Sequence, residues 1–270
     1  MSRARGSTTQ PSQREVQCLD DAQALCEAAA DEFATVSCRA IEARGVFRIA
    51  LAGGSTPCRL HQILTEAPYR ENIPWDRIEF FFGDERTVPP DHSDSNYRMA
   101  RDTLLTELDI APERVHRMQA EHRDLTGAAR GYQEEIASAF DVTRDGPPPR
   151  FDLILLGMGE DGHTASLFPE TEALFERERW VVGNEVPKLG VQRMTFTYPL
   201  INAAERVVFL IAGQSKATAL AAILDGPPDV SRLPSQGVAH SDVKLLFLID
   251  QAAGKLLHPA THNSNVVATE

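Results

Sequence analysis

Short apolar runs that stop at glycine, each followed by a stretch with helical patterning, constrain this chain more than any other feature. The clearest is Leu153 to Leu156, inside F-D-L-I-L-L-G-M-G-E-D-G-H-T-A-S-L-F-P from Phe151 to Pro169. A strand covered on both faces loses the in-and-out alternation of a half-exposed one, so such a run reads as a buried strand. Val46 to Ala52, Ile78 to Phe82, Val207 to Ala212 and Leu245 to Ile249 read the same way, with Trp180 to Gly183 and Met194 to Tyr198 as further strands and Val115 to Met118 as a short one. Between them, apolar residues three or four apart mark amphipathic helices. These run from Val16 to Ile41, through Leu60, Ile63 and Leu64, from an Asp94 or Ser95 cap through Met99 to Leu108, through Tyr132, Ile136 and Phe140, and from Gln214 to Leu224. Strands alternating with helices predict an α/β fold, a mostly parallel sheet flanked by helices. The rhythm continues on both sides of the break at Asp145-Gly-Pro-Pro-Pro149, so residues 15–260 are expected to form one domain. Residues 1–14 read as a disordered tail and residues 261–270 as a loose one.

Bulk properties narrow the functional classes. With 42% hydrophobic and 24% charged residues, a chain of 270 can bury a substantial core and stay soluble. The formal net charge of -12 argues against non-specific binding to nucleic acid or an anionic membrane, because that affinity comes from clustered Lys and Arg. Any anionic ligand must then be held by local cations. The four cysteines, Cys18, Cys26, Cys38 and Cys58, form no C-x-x-C pair, which suggests neither a disulfide framework nor a zinc site and fits a reducing, cytoplasmic setting. No apolar run approaches the ~20 residues of a membrane span. Met1 to Arg14 carries Arg3, Arg5 and Arg14 without an acid, so a transit peptide is the alternative to a plain tail. A monomer or a small homo-oligomer would suit such a chain.

In an open parallel sheet, ligands bind at the carboxyl ends of the strands. Polar chemistry collects at four such ends: Gly54-Ser55-Thr56, Asp84-Glu85-Arg86, Asp161-Gly162-His163 and Gly213-Gln214-Ser215-Lys216. Gly53, Gly54, a hydroxyl cap and Pro57 open a helix whose free N–H groups either hold a phosphate or form an ordinary capped turn. Lys216, behind Gly213, is placed to meet a phosphate or else lies exposed on its helix, and the G-x-x-x-x-G-K-[ST] nucleotide loop is absent. Gly157-Met-Gly159-Glu-Asp-Gly162 matches G-x-G-x-x-G, but Pro169 interrupts the helix that a dinucleotide site needs. His92 and its acidic neighbours have no metal-ligand spacing and read as a solvated loop. His163 is the sharpest candidate, since an ordinary imidazole titrates near pH 6.5 and Asp161 is in position to orient it. Ser166 raises Ser-His catalysis, but the strained G-x-S-x-G elbow is missing, and activated water is the preferred nucleophile.

Taken together, L-A-G-G-S-T-P at Leu51 to Pro57, F-F-F-G-D-E-R at Phe80 to Arg86, S-D-S-N-Y-R-M at Ser93 to Met99, G-M-G-E-D-G-H-T-A-S-L-F-P at Gly157 to Pro169 and V-P-K at Val186 to Lys188 resemble the 6-phosphogluconolactonases. The resemblance implies hydrolysis of 6-phospho-D-glucono-1,5-lactone to 6-phosphogluconate, in the oxidative pentose phosphate pathway, with no cofactor and no required metal. It also implies a three-layer, Rossmann-like fold shared with glucosamine-6-phosphate deaminases and ribose-5-phosphate isomerases. By the same resemblance, His163 would deprotonate water beside Asp161. Arg193 and Lys216 would hold the phosphate, with Gly54, Ser55 and Thr56 lining its pocket, and Asp84 and Arg86 would face the sugar ring or lactone carbonyl. The run after V-P-K, Leu189-Gly190-Val191-Gln192-Arg193, departs from the basic, proline-rich stretch expected there. Two rivals are a deaminase or isomerase of the same fold, whose D-G-H would continue I-A-F-N-E-P, and a non-catalytic sugar-phosphate sensor.

Overall fold

The computed structural model describes residues 13–238, 243–262 and 265–267. The chain opens with strand β1 (Gln13–Leu19) and helix α1 (Ala22–Arg44). Asp21 caps α1 by accepting from Ala24 N at 2.9 Å, and Gly45, at φ 76°, ends it in the left-handed conformation that glycine adopts without a Cβ penalty. Then follow β2 (Phe47–Leu51), α2 (Ser55–Leu64), the short α3 (Tyr69–Asn72), β3 (Ile78–Phe82) and β4 (Asp84–Arg86). Helix α4 (Asn96–Ala100) widens into a π turn over Arg101–Leu105, and α5 (Leu125–Ala139) starts at the capping side chain of Asp124. The second half contains β5 (Leu153–Leu156), β6 (Val181–Val186), β7 (Val191–Phe196), α6 (Tyr198–Ile201), β8 (Arg206–Ile211), α7 (Ala217–Leu224), β9 (Lys244–Asp250), α8 (Gln251–Gly254) and β10 (Asn265–Val267).

Seven strands form the central sheet in the order β10-β1-β9-β8-β5-β2-β3, parallel except at β10. All four residues of β5 are buried, as are all but the first of β8, so helices and loops cover both faces of the sheet, as the continuous apolar runs predict. From β2 the chain crosses to β3 on one flank and then returns to β5 on the other. The strand order therefore reverses between β2 and β5, and a crevice opens at their carboxyl ends.

The structure corrects several sequence-based expectations. Val16 to Leu19 is not the first turn of a helix: it lies in β1, with Val16 opposite Phe247 and Cys18 opposite Ile249 of β9. The strand starts at Gln13, inside the expected 1–14 tail, of which residues 1–12 lie outside the described residues. Asn265–Val267, expected in the loose tail 261–270, pairs antiparallel with β1. Val115 makes a single bridge to Phe80 rather than a strand. The start of α2 has no hydroxyl cap, because its N-cap residue is Gly54. A second sheet, absent from the sequence reading, contains β4, β7 and β6 in that order, all antiparallel. It abuts the β3 end of the main sheet, where Phe196 N donates to Gly83 O at 2.8 Å.

Candidate active site

A cleft of about 290 Å³ occupies the crevice that the strand order creates. Its walls are Gly53 and Gly54 after β2, Asp84 and Arg86 of β4, Gly157, Gly159 and His163 after β5, and Lys216 after β8. Five of the residues singled out in the sequence, Gly54, Asp84, Arg86, His163 and Lys216, thus face one space from four separate strand ends. Two other clefts, of about 300 Å³ each, flank α5. The arginines Arg144 and Arg179 in the first already pair with Glu134, Asp145 and Glu176, and neither cleft is built on the glycine-rich turns. Among the described residues, no group of His, Cys, Asp and Glu side chains is arranged to hold a metal ion.

The turn after β5 is built to hold an imidazole. Gly159 N donates to His163 O at 2.8 Å and Gly162 N to Gly159 O at 3.1 Å, while Ser235 Oγ donates to Gly162 O at 2.8 Å and pins the loop from outside. Gly162 sits at φ 78°, where a side chain would be strained. Within this turn Nδ1 of His163 lies 2.6 Å from Asp161 Oδ1. The hydrogen bond to His163 holds the Asp161 carboxyl well down, at about 2, against the opposing pull of partial burial. An ionised carboxylate only accepts, so Nδ1 carries a proton, and in the neutral imidazole Nε2 is then the atom with the lone pair. Lys188 Nζ stands 3.9 Å from the other carboxylate oxygen of Asp161.

Asp84 is held across the cleft by groups far away in sequence. Ser166 Oγ donates to Asp84 Oδ2 at 2.6 Å, and Asn96 Nδ2 donates to Asp84 O at 3.0 Å and Asp84 Oδ1 at 3.2 Å. The rest of Ser166 is also committed, its N–H to Thr195 Oγ1 at 3.1 Å and its carbonyl to Asn184 Nδ2 at 2.8 Å. Buried and turned toward Asp84, Ser166 is a support for that carboxylate and not a partner of His163, which removes the Ser-His alternative. Asn96 fits because residue 53 is glycine: a Cβ there would lie 1.9 Å from Asn96 Oδ1. Glu85 points away from the cleft, accepts from Arg86 N, Asn96 N and Tyr97 N, each at 2.8 Å, and closes the start of α4. Burial pushes its carboxyl up, while these backbone donors pull it down.

The remaining sequence candidates lie at the margin. Ser55 and Thr56 begin α2 just behind Gly54, outside the cleft wall. Arg193 lies directly opposite Arg86 in the β4–β7 pair, so both side chains share one face of that sheet, although Arg193 does not line the cleft itself. Burial and the neighbouring Arg86 charge lower its pKa. Asn96 and the supporting role of Ser166 escaped the sequence reading, because nothing local links either to Asp84, 12 and 82 residues away.

Comparison with known proteins agrees with this geometry. The family described as glucosamine-6-phosphate isomerases/6-phosphogluconolactonase matches residues 20–247. A 6-phosphogluconolactonase of Synechocystis sp. is 44% identical over 91% of this chain and 99% of its own length, and one from Mycobacterium leprae is 36% identical over 89% and 98%. The solved structure of 6-phosphogluconolactonase from Trypanosoma cruzi superposes with a TM-score of 0.80 at 28% identity, covering 91% of this chain and 98% of that one. A monomeric glucosamine-6-phosphate deaminase, 24% identical with a TM-score of 0.73 over 90% and 99%, shares the fold. With its crevice, its Asp-His turn and these matches over nearly the whole length, the chain belongs to the glucosamine-6-phosphate isomerase/6-phosphogluconolactonase family.

Proposed function

We propose that this protein hydrolyses 6-phospho-D-glucono-1,5-lactone to 6-phosphogluconate, with His163 as general base toward water. The observation that carries this reading is that His163 and Lys216 line the same cleft, with the Nδ1 of His163 already bound to Asp161. Water adds to the lactone carbonyl while its proton passes to His163 Nε2. Arg86, in the wall, faces the oxygen that gains negative charge. The tetrahedral intermediate then breaks its bond to the ring oxygen, which takes the proton back from the imidazolium, and the acid formed ionises to the product. Asp161 compensates the transient positive charge on His163. Asp84, its carboxylate held by Ser166 and Asn96, accepts from a ring hydroxyl. Lys216 holds the phosphate, with Gly54, Ser55 and Thr56 behind it and Arg193 beside Arg86 as a second cation.

A lactone is an activated ester, so a positioned base contributing ~10²–10⁴ and a polarising cation suffice without a cofactor. The similarity to named 6-phosphogluconolactonases supports this substrate over an amino-sugar phosphate. The unbridged thiols of Cys26, Cys38 and Cys58 support a reducing, cytoplasmic setting, and no described helix is long and apolar enough to cross a membrane. The test is a rapid assay with freshly made 6-phosphogluconolactone, corrected for spontaneous opening. His163→Ala is expected to lower kcat by at least ~10² while 6-phosphogluconate still binds. An undiminished rate would remove His163 from the chemistry, and release of ammonia from glucosamine 6-phosphate would point to the deaminase branch instead.

A further inference from the structure

The imidazole of His163 is restrained on three sides, and the hydrolysis proposed above uses only one of them. Asp161 takes Nδ1 at 2.6 Å. Gly159 passes so close that a Cβ there would lie 2.0 Å from Nδ1 and 2.2 Å from Cε1. Against the flat of the ring lies Phe168, with centroids 4.0 Å apart and planes 25° from parallel. Phe168 is 8% exposed, and its carbonyl accepts from Thr171 Oγ1 at 2.8 Å, which in turn accepts from Asn184 of β6 at 3.1 Å. The backbone at Phe168 is therefore tied to the second sheet through Thr171 and Asn184.

We propose that Phe168 is a positioning residue for proton transfer: its ring fixes the plane of the His163 imidazole about the Nδ1–Asp161 contact and closes one imidazole face to water. The inference rests on His163 being the base. A single hydrogen bond at Nδ1 fixes one atom but leaves rotation of the ring about that contact, and the terminal torsion of histidine is broad and nearly two-fold. The turn cannot supply the missing restraint alone, because the side chains of His163 and Asp161 are 28% and 26% exposed. A flat neighbour at van der Waals distance selects one ring plane and keeps Nε2 aimed into the cleft.

An aliphatic side chain would keep the apolar contact and lose the flat one, so Phe168→Leu separates orientation from burial. In the lactone assay F168L is expected to lower kcat about 10-fold, since modest misalignment of a reacting group is costly, with KM within about twofold of wild type. Phe168→Tyr, which keeps the ring, should recover most of the rate. NMR relaxation of the His163 ring should show larger motion in F168L than in the wild-type enzyme, with Nδ1 still bound to Asp161 in both. A merely structural role would lower Tm and the active fraction without changing kcat per active site or the ring motion. Should F168L fail to fold, Phe168→Met, closer in volume, is measured in the same way. Wild-type kcat in the folded variant overturns the inference. His163→Ala in the same assay tells the two failures apart: if it retains full rate the base assignment itself falls, whereas loss in H163A with none in F168L discards only the role of Phe168.

Discussion

At the scale of single residues, the site depends on atoms that are missing as much as on those present. A methyl at residue 159 would approach His163 Nδ1 to 2.0 Å and Asp161 Oδ1 to 2.6 Å, closer than any Cβ contact, and the objects in its way are the imidazole and carboxylate proposed for the chemistry. Gly159→Ala is therefore expected to expel the imidazole and lower kcat by ~10² while leaving the sheet intact, so that Tm falls by only a few degrees. Steady-state kinetics beside a thermal melt check this, and a G159A enzyme of normal kcat would show that the Asp161–His163 contact is dispensable. The pair was legible in the sequence because its chemistry is local: a carboxylate and an imidazole two residues apart in a glycine-rich turn just past a buried strand. The anchoring of Asp84 was not, since its partners Ser166 and Asn96 come from other turns and their types alone signal nothing.

At the scale of elements, hydrophobic periodicity located β2, β3, β5, β6, β7, β8 and β9, and failed where length or composition was ambiguous. Val16 and Leu19 fit a helical stripe as well as a strand, and only pairing with β9 decides between them. The strand β4 is three charged residues, Asp84, Glu85 and Arg86, whose extended form is imposed by β7 and not by propensity. Helix α2 carries a testable cost of burial. His61 is fully buried, its Nδ1 3.0 Å from Thr103 Oγ1, and that hydroxyl donates to Met99 O at 2.7 Å. The Thr103 oxygen must then accept from Nδ1–H, which leaves His61 Nε2 buried without a partner. Burial pushes the His61 pKa down to about 4. Because the folded value lies below the unfolded ~6.5, protons favour the unfolded chain; the stability is fully present above about pH 6.5 and is lost as pH falls toward 4. The loss amounts to roughly 3 kcal/mol across that window. Urea melts at about pH 7 and about pH 4.5 should show a larger decline for wild type than for His61→Leu. Equal declines would mean that His61 does not titrate on unfolding.

At the scale of the whole molecule, the sheet order was the least legible property, since helical and strand periods say where elements lie but not which strands are neighbours. That order matters most for function: reversal between β2 and β5 brings Gly54, His163 and Lys216 to one crevice. It also brings two opposed electrostatic effects onto the same ligand. The formal net charge of -12 repels a phosphorylated substrate, whose phosphate carries about -1.5 to -2, whereas Arg86 and Lys216 in the cleft attract it. Salt weakens both, and distance decides which change is seen. Carboxylates farther away than the Debye length of ~8–10 Å are already screened at moderate salt, while Lys216 acts on the phosphate at contact. Raising salt should therefore raise KM for the lactone and leave kcat flat, because a contact to the phosphate acts alike on ground and transition states. Lys216→Ala should raise KM and make it less sensitive to salt, with little effect on a non-phosphorylated lactone. A KM that falls as salt is added would mean that the acidic surface as a whole, rather than the two cations at the strand ends, governs capture of the substrate.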